Sequence, residues 1–259
     1  KALILKIAIL QARVSSSRLP RKVLKILKGK PMLLHQIERV AQSKRIDQLY
    51  VATSNLAEDD EIEDLCNQNG INCFRGSLSD VLDRYYQLSS ILQPSHIVRL
   101  TGDCPLIDHK IIDNVIDFHI KGNYDYTSNA QPPTFPDGMD VEVMRYGVLK
   151  QAWSDAKLKS QREHVTLYIY QKMKNIKIGR YTSLIDYSNM RWTVDELNDF
   201  RFVERVYDEL YDTNHLFDMD SIIDLISNNP DIMKINQGIN RNEGLKKSLK
   251  NDKVYTISR

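Results

Sequence analysis

The sequence predicts an α/β protein, with a mostly parallel sheet, helices on both faces and a small α+β insertion. Three observations carry this. Short apolar runs alternate with stretches of helical spacing through the first half of the chain. The loops that follow the apolar runs are unusually polar. After Tyr124 the alternation gives way to turn signals and shorter segments.

The elements follow in order. Ile7–Leu10 reads as a strand, and a loop rich in Ser and Arg comes next. Pro31 suits a helix start, and Leu33, Leu34, Ile37, Val40 and Ala41 recur at helical spacing. Leu49–Thr53 is the second strand. An acidic helix begins near Asp59, with Ile62, Leu65 and Cys66 on one face. Cys73–Arg75 is a brief third strand. Val81, Leu82, Tyr85, Leu88 and Leu92 mark the next helix. Ile97–Thr101 is the fourth strand, and Ile111, Ile112, Val115 and Phe118 mark the helix after it. Such β-α-β alternation implies a Rossmann-like sheet with ligands beyond the carboxyl ends of its strands. That puts the loops Arg13–Lys22, Gly76–Asp80 and Gly102–Asp108 on one rim. Beyond the turns at Pro132–Pro133 and Pro136–Gly138, Met139–Val143 alternates like a strand. Helical patterns lie near Leu149–Ala156 and Glu163–Met173. Met190–Val194 reads as a late strand, and Phe200–Leu210 as a helix. The tail from Asn236 is polar and basic, with an end expected to fray.

The 259 residues suit one large domain. With 42% hydrophobic and 27% charged residues, the chain is globular rather than disordered. A net charge of +2 gives no reason to expect a nucleic-acid partner. Cys66, Cys73 and Cys104 form no C-x-x-C pair, which speaks against zinc or a disulfide framework and for reduced thiols in the cytoplasm. Lys6 interrupts the first apolar run, so it reads as a buried strand rather than a leader. No apolar run is long enough to span a bilayer, so no membrane partner is expected.

Five segments could carry chemistry. The first loop, Gln11-Ala12-Arg13-Val14-Ser15-Ser16-Ser17-Arg18-Leu19-Pro20-Arg21-Lys22, packs cations and hydroxyls into one turn. Arg forks and a Lys point charge suit a polyphosphate, or else the loop is a solvated basic turn. It is neither a Walker loop nor a dinucleotide fingerprint, because it has no glycine. In Thr101-Gly102-Asp103-Cys104-Pro105, Asp103 can project a carboxylate into the crevice, as Mg²⁺ sites require. Arg99 shares the strand face of Thr101 and Asp103, and needs an anionic partner from protein or ligand. Asp195, in Arg191-Trp192-Thr193-Val194-Asp195-Glu196, suits equally a second metal ligand or a helix cap. Gly76 permits close backbone approach to a ligand, and Ser77 could hydrogen-bond a base or ribose. Arg84 reads as well as a charge on the surface of a capped helix. His164, in Arg162-Glu163-His164-Val165-Thr166, could do acid–base work or bind a carboxylate, although a lone His is more often structural. The remaining histidines show no metal-ligand spacing. Cys104 has no base beside it in sequence and is not read as a nucleophile.

Together these motifs resemble the cytidylyltransferase family that activates acidic sugars, over about Ile7 to Tyr211. Ala12-Arg13-x-x-Ser-x-Arg18-Leu19-Pro20-x-Lys22 is similar to the phosphate-binding signature of 3-deoxy-octulosonate cytidylyltransferases. Gly102-Asp103-x-Pro105 and Val194-Asp195 resemble the family's two metal-carboxylate positions. Three further segments look like the spore-coat polysaccharide biosynthesis subgroup: Arg75–Tyr85, Pro136–Glu142 and Arg162–Thr166.

The resemblance implies the nucleotide-diphospho-sugar transferase type of fold. It implies a nucleotide-binding half (7–128), an acceptor-binding half with apolar surface for a homodimer (129–211), and a C-terminal extension (212–259). It implies transfer of CMP from CTP to an acidic sugar, with Mg²⁺ as cofactor and release of pyrophosphate. Arg13, Arg18 and Lys22 would hold the phosphates. Gln11, Ala12, Ser17, Gly76, Ser77, Asp80 and Arg99 would form the nucleotide site. Asp103 and Asp195 would hold the metal, and Asp140, Glu142, Arg162 and His164 the acceptor. Three other readings compete. A sugar-1-phosphate nucleotidyltransferase would normally carry a glycine-rich first loop. A glycosyltransferase would normally carry Asp-x-Asp. A non-catalytic nucleotide-sugar binding protein would release no pyrophosphate.

Overall fold

The computed structural model describes residues 4–255. The strands in chain order are β1 (Lys6–Gln11), β2 (Ile26–Leu27), β3 (Lys30–Pro31), β4 (Gln48–Ser54), β5 (Asn72–Gly76), β6 (His96–Thr101), β7 (Tyr126–Ser128), β8 (Glu142–Arg145) and β9 (Ile178–Arg180). The helices are α1 (Met32–Val40), α2 (Asp60–Gln68), α3 (Val81–Leu92), α4 (His109–Lys121), α5 (Tyr146–Asp155), α6 (Lys159–Glu163), α7 (Leu167–Lys172), α8 (Leu197–Leu210), α9 (Met219–Asn228) and α10 (Glu243–Lys250).

Seven strands form one sheet in the order β5-β4-β1-β6-β8-β7-β9, and β2 and β3 make a small hairpin beside it. Four neighbours, β5, β4, β1 and β6, run parallel. Only β8 runs against its neighbours β6 and β7, so the sheet is mostly parallel as the sequence predicts. β1 is central and buried on both faces, which is why it reads as an unbroken apolar run. Its residues divide by period 2. Ala8 and Leu10 pack on the side of α1, α2, α4, α8 and α9. Ile7 and Ile9 pack on the side of α3, α5 and α7.

Carboxylates fix the starts of α3 and α4. Asp80 accepts the Asp83 N–H at 2.9 Å and starts α3. Asp108 accepts the Lys110 N–H at 2.8 Å to start α4, and the Met219 N–H at 2.9 Å to tie α9 beside it.

Several sequence expectations are corrected. The strand expected at Met139–Val143 begins only at Glu142, because Asn129 holds the preceding turn through Met139 O and Val141 N–H, each at 2.7 Å. The helix expected over Glu163–Met173 is two, α6 and α7, broken where Val165 takes φ +46°. Met190–Val194 is not a strand. It makes a single bridge from Arg191 to Asp137 and is otherwise an irregular segment, with Trp192 and Val194 buried. Strands β7 and β9 and helix α9 were not legible. The polar tail contains α10, while the end expected to fray lies in part outside the described residues.

His96 and His119 are buried together between β6 and α4. Their rings meet at 3.1 Å, and His119 reaches the Thr127 hydroxyl at 2.9 Å. Burial, then the neighbouring cations, push His96 down to about 4. Burial, then His96, push His119 down to about 3. Both are therefore neutral when folded, whereas the unfolded chain protonates them below about pH 6.5. Stability should fall as pH drops from there towards those folded values. Between pH 7.5 and pH 5, His119 alone should cost up to about 2 kcal/mol. Urea unfolding at the two pH values should show this loss, reduced in His119→Asn. An unchanged pH dependence in the variant would remove His119 as its source.

Candidate active site

The carboxyl ends of β1 and β6 open into a cavity of about 820 Å³. Gln11, Ala12, Arg13, Ser17, Arg18 and Lys22 reach its wall from the first loop. That loop is pinned by Asp59, at the start of α2, whose buried carboxylate accepts the Val14 N–H at 2.7 Å and the Ser54 N–H at 3.1 Å. Arg21 points away and pairs with Glu61 in solvent. Arg13 is exposed and has no carboxylate partner among the described residues.

Asp103 follows β6, and Asp195 precedes α8. The Lys22 ammonium joins them, 2.9 Å from Asp195 Oδ1, 3.4 Å from Asp103 Oδ2 and 2.7 Å from the Val194 carbonyl. Burial works to lower the Lys22 pKa, but Asp103 and Asp195 outweigh it and leave it raised. The two backbones are fastened as well, because Val194 N–H donates to the Asp103 carbonyl at 2.8 Å. Asp195 also meets Arg18 at 3.0 Å and Arg191 at 3.0 Å. Burial works to raise Asp195, yet Lys22 first, then Arg18 and Arg191, hold it below the usual carboxylate range. Asp195 does not cap α8. Asp199 accepts the Asp195 and Glu196 N–H groups there, each at 3.0 Å.

Sequence reasoning gave Arg191 no role, yet its guanidinium organises this wall. It donates to Asp137 at 2.9 Å, to Asp195 at 3.0 Å, and to both oxygens of fully buried Asp199. The spacing of Arg191, Asp195 and Asp199 at intervals of four was the available signal. Asp137 arrives through Gly138, which has φ +114°. A Cβ at that position would lie 2.7 Å from the Thr193 nitrogen. Cys104 packs beside Asp103, and burial pushes its thiol well above the ordinary range, so it stays protonated.

Arg99, Asp140, Glu142 and His164 line the rest of the cavity. Arg99 and Glu142 stand opposite each other across β6 and β8 and form a close ion pair, so the anion that Arg99 needs comes from the protein. Glu142 also accepts from the Tyr126 hydroxyl, and from Thr166 at 2.7 Å. Burial pushes Asp140 up to about 7, against the opposing pull of Arg241, whose guanidinium lies 2.5 Å away. His164 lies 3.0 Å from the Ser248 hydroxyl, and burial lowers its pKa. Three buried polar atoms on the wall, Gln11 Oε1, Ser15 Oγ and Arg99 Nε, have no partner within the described protein. Water or a ligand must satisfy them.

Gly76, Ser77, Asp80 and Arg162 lie outside this lining. Asp80 and Arg162 are buried against each other. Arg162 Nε is 2.9 Å from both Asp80 oxygens, and Nη2 is 2.7 Å from one. The close approach expected at Gly76 is to protein, since a Cβ there would lie 2.9 Å from Arg84 Cγ. Arg84 is buried rather than a surface charge, and donates to the Ser77 carbonyl at 2.5 Å. Ser77 turns its hydroxyl to the Asp80 N–H at 3.0 Å.

A family model described as cytidylyltransferase matches residues 7–237. The chain is 33% identical over 230 residues to the spore coat polysaccharide biosynthesis protein SpsF of Bacillus subtilis, covering 86% of this chain and 94% of that one. It is 34% identical over 137 residues to 3-deoxy-manno-octulosonate cytidylyltransferase 2 of Hydrogenovibrio crunogenus, covering 51% and 54%. A solved cytidylyltransferase of Leptospira borgpetersenii superposes with a TM-score of 0.85 at 32% identity, covering 92% of this chain and all of that one.

The Asp80–Arg162 pair joins α3 to α6 and is nearly excluded from solvent. Breaking one side leaves an uncompensated buried charge. Arg162→Met should therefore lower stability by about 3–5 kcal/mol, read as a shift of the denaturant midpoint at constant m-value. A loss below about 1 kcal/mol would show a pair no stronger than a surface one.

Proposed function

The chain belongs to the cytidylyltransferase family, and on that premise we propose that it transfers CMP from CTP to an acidic sugar, releasing pyrophosphate. The observation that carries the reading is the Lys22 ammonium held between Asp103 and Asp195 at the mouth of the first loop. Cations of the type that bind phosphate and a carboxylate pair share one cavity, which supports nucleotidyl transfer.

The acceptor hydroxyl attacks the α-phosphate in line and gives its proton to solvent, and the bond to pyrophosphate breaks. Arg13, Arg18 and Lys22 hold the β- and γ-phosphates and neutralise the departing charge. Gln11, Ala12 and Ser17 border the nucleotide, with Gly76 and Ser77 supporting it from behind through Arg84. Asp103 and Asp195 suit Mg²⁺, because that ion takes one or two carboxylates and completes its shell with phosphate oxygens and water. Bound there, Mg²⁺ supplies charge neutralisation on the phosphates. Asp140 and His164 face the acceptor, over a floor formed by the Arg99–Glu142 pair. Asp80 and Arg162 act through position, by fixing α6 against α3.

The acidic acceptor is supported by the likeness of the first loop to octulosonate cytidylyltransferases, and by the similarity over part of the chain to one of them. The similarity to the spore coat protein supports a role in surface polysaccharide or glycan assembly.

Thermal shift with CTP, ATP, GTP and UTP, each with and without Mg²⁺, tests the nucleotide. CTP with Mg²⁺ should raise the melting temperature selectively. Preference for another nucleotide would move the chain to sugar-1-phosphate chemistry. Asp103→Asn should abolish turnover with the fold intact, and wild-type rates at saturating Mg²⁺ would remove its metal role. Lys22→Ala should cost about 2–4 kcal/mol of transition-state stabilisation, read from kcat/KM. An unchanged kcat/KM would take Lys22 out of the site.

A further inference from the structure

The family match ends at residue 237, yet the chain continues across the cavity. Asn242, Glu243, Leu245, Lys247, Ser248 and Asn251 all line it. The arm is anchored firmly at both ends. On one side Asn236 donates to the Arg191 carbonyl at 2.9 Å, and Arg241 reaches Asp140 at 2.5 Å. On the other, Asp252 holds the Ser160 hydroxyl at 2.6 Å, and the Lys159 N–H donates to the Lys253 carbonyl at 2.9 Å. Between these anchors hangs α10, which has no buried residue. The ties across it are polar. Ser248 lies 3.0 Å from both His164 and Glu163, and Glu243 lies 3.5 Å from Arg18.

Arg18 is thus shared by Asp195, Glu243 and Glu196 at 3.0, 3.5 and 3.7 Å. Glu243 is the only one of the three that stands on the arm. We propose that Glu243 is a displaceable latch, which holds α10 on Arg18 until the triphosphate of the nucleotide takes the guanidinium and releases the helix. This rests on the reading that Arg18 binds the triphosphate. The chemistry favours the exchange. A half-exposed carboxylate pair is weak. A phosphate group offers the same fork more charge, and it repels Glu243 once bound. Release of α10 frees Ser248 from His164 and Glu163, and so opens the acceptor end of the cavity.

The test is calorimetric titration with CTP and Mg²⁺, alongside hydrogen exchange over residues 242–250, for wild type, Glu243→Gln and Glu196→Gln. Wild-type α10 should exchange faster when CTP saturates. Glu243→Gln should exchange fast without nucleotide, and should bind CTP about two- to fivefold tighter, the scale of one exposed ion pair. Glu196→Gln makes the same charge change off the arm. It should gain affinity without altering α10 exchange. If CTP binds wild type but leaves α10 exchange unchanged or slower, the latch is overturned. The same holds if Glu243→Gln exchanges like wild type. No CTP binding by wild type would sink the nucleotide reading and the latch with it, an outcome visible in the same titration.

Discussion

Two carboxylates from distant parts of the chain converge on one ammonium. Asp103 leaves the central sheet after β6, and Asp195 leaves an irregular segment before α8. Brought together without compensation, they would repel and lose hydration. Lys22 offsets that repulsion from a loop that follows β1. One point charge therefore sets the position of three separate segments. The backbone bond from Val194 to Asp103 and the Arg191 fork hold the carboxylates where the ammonium can serve both. Each of these groups is more than half buried, so the attraction is screened less than at a surface.

The surroundings follow from that constraint. Asp137 can reach Arg191 only because a residue without Cβ lets its turn press on the Trp192–Thr193 backbone. Asp199, fully buried, accepts from Arg191, from Asn236 and from the N–H groups of Asp195 and Glu196 just ahead of α8. Cation and carboxylate thus alternate along the wall, from Lys22 through Asp195, Arg191 and Asp137 to Arg241 and Asp140. A wall so nearly neutral offers an incoming polyphosphate little unpaired positive charge. On the proposed reading, the nucleotide would exchange for carboxylates already in place. Arg13 stands apart, exposed and without a carboxylate among the described residues.

Much of this was legible in the sequence, for physical reasons. β1, β4 and β6 are buried on both sides, so their apolar runs announce strands, and the polar loops beyond them announce the rim. The first loop and Asp103 stand out because each follows such a run directly, whereas Asp195 follows an apolar stretch that is irregular. Other parts left no trace. β7 and β9 have three residues each, too few for a period. Met190–Val194 reads like a strand because Trp192, Thr193 and Val194 are buried, but they are buried in an irregular segment, not on a ladder. Asp80 and Arg162 carry the residue types of a ligand site, but tertiary packing turns them on each other. Arg241 sits in a polar stretch where nothing marks one arginine from its neighbours.

The break between α6 and α7 joins these threads. A β-branched residue at positive φ is strained, and Val165 adopts φ +46° within a stretch whose pattern is helical throughout. Had the helix continued, its ladder would have satisfied this backbone without strain. Instead, the kink leaves Val165 fully buried, places Thr166 on Glu142, and sets His164 on the cavity wall beneath α10. The local cost is offset by packing and by a charge-assisted hydrogen bond at the floor of the cavity. The sequence rule fails at the point where local preference and the geometry of the site conflict, and the site prevails.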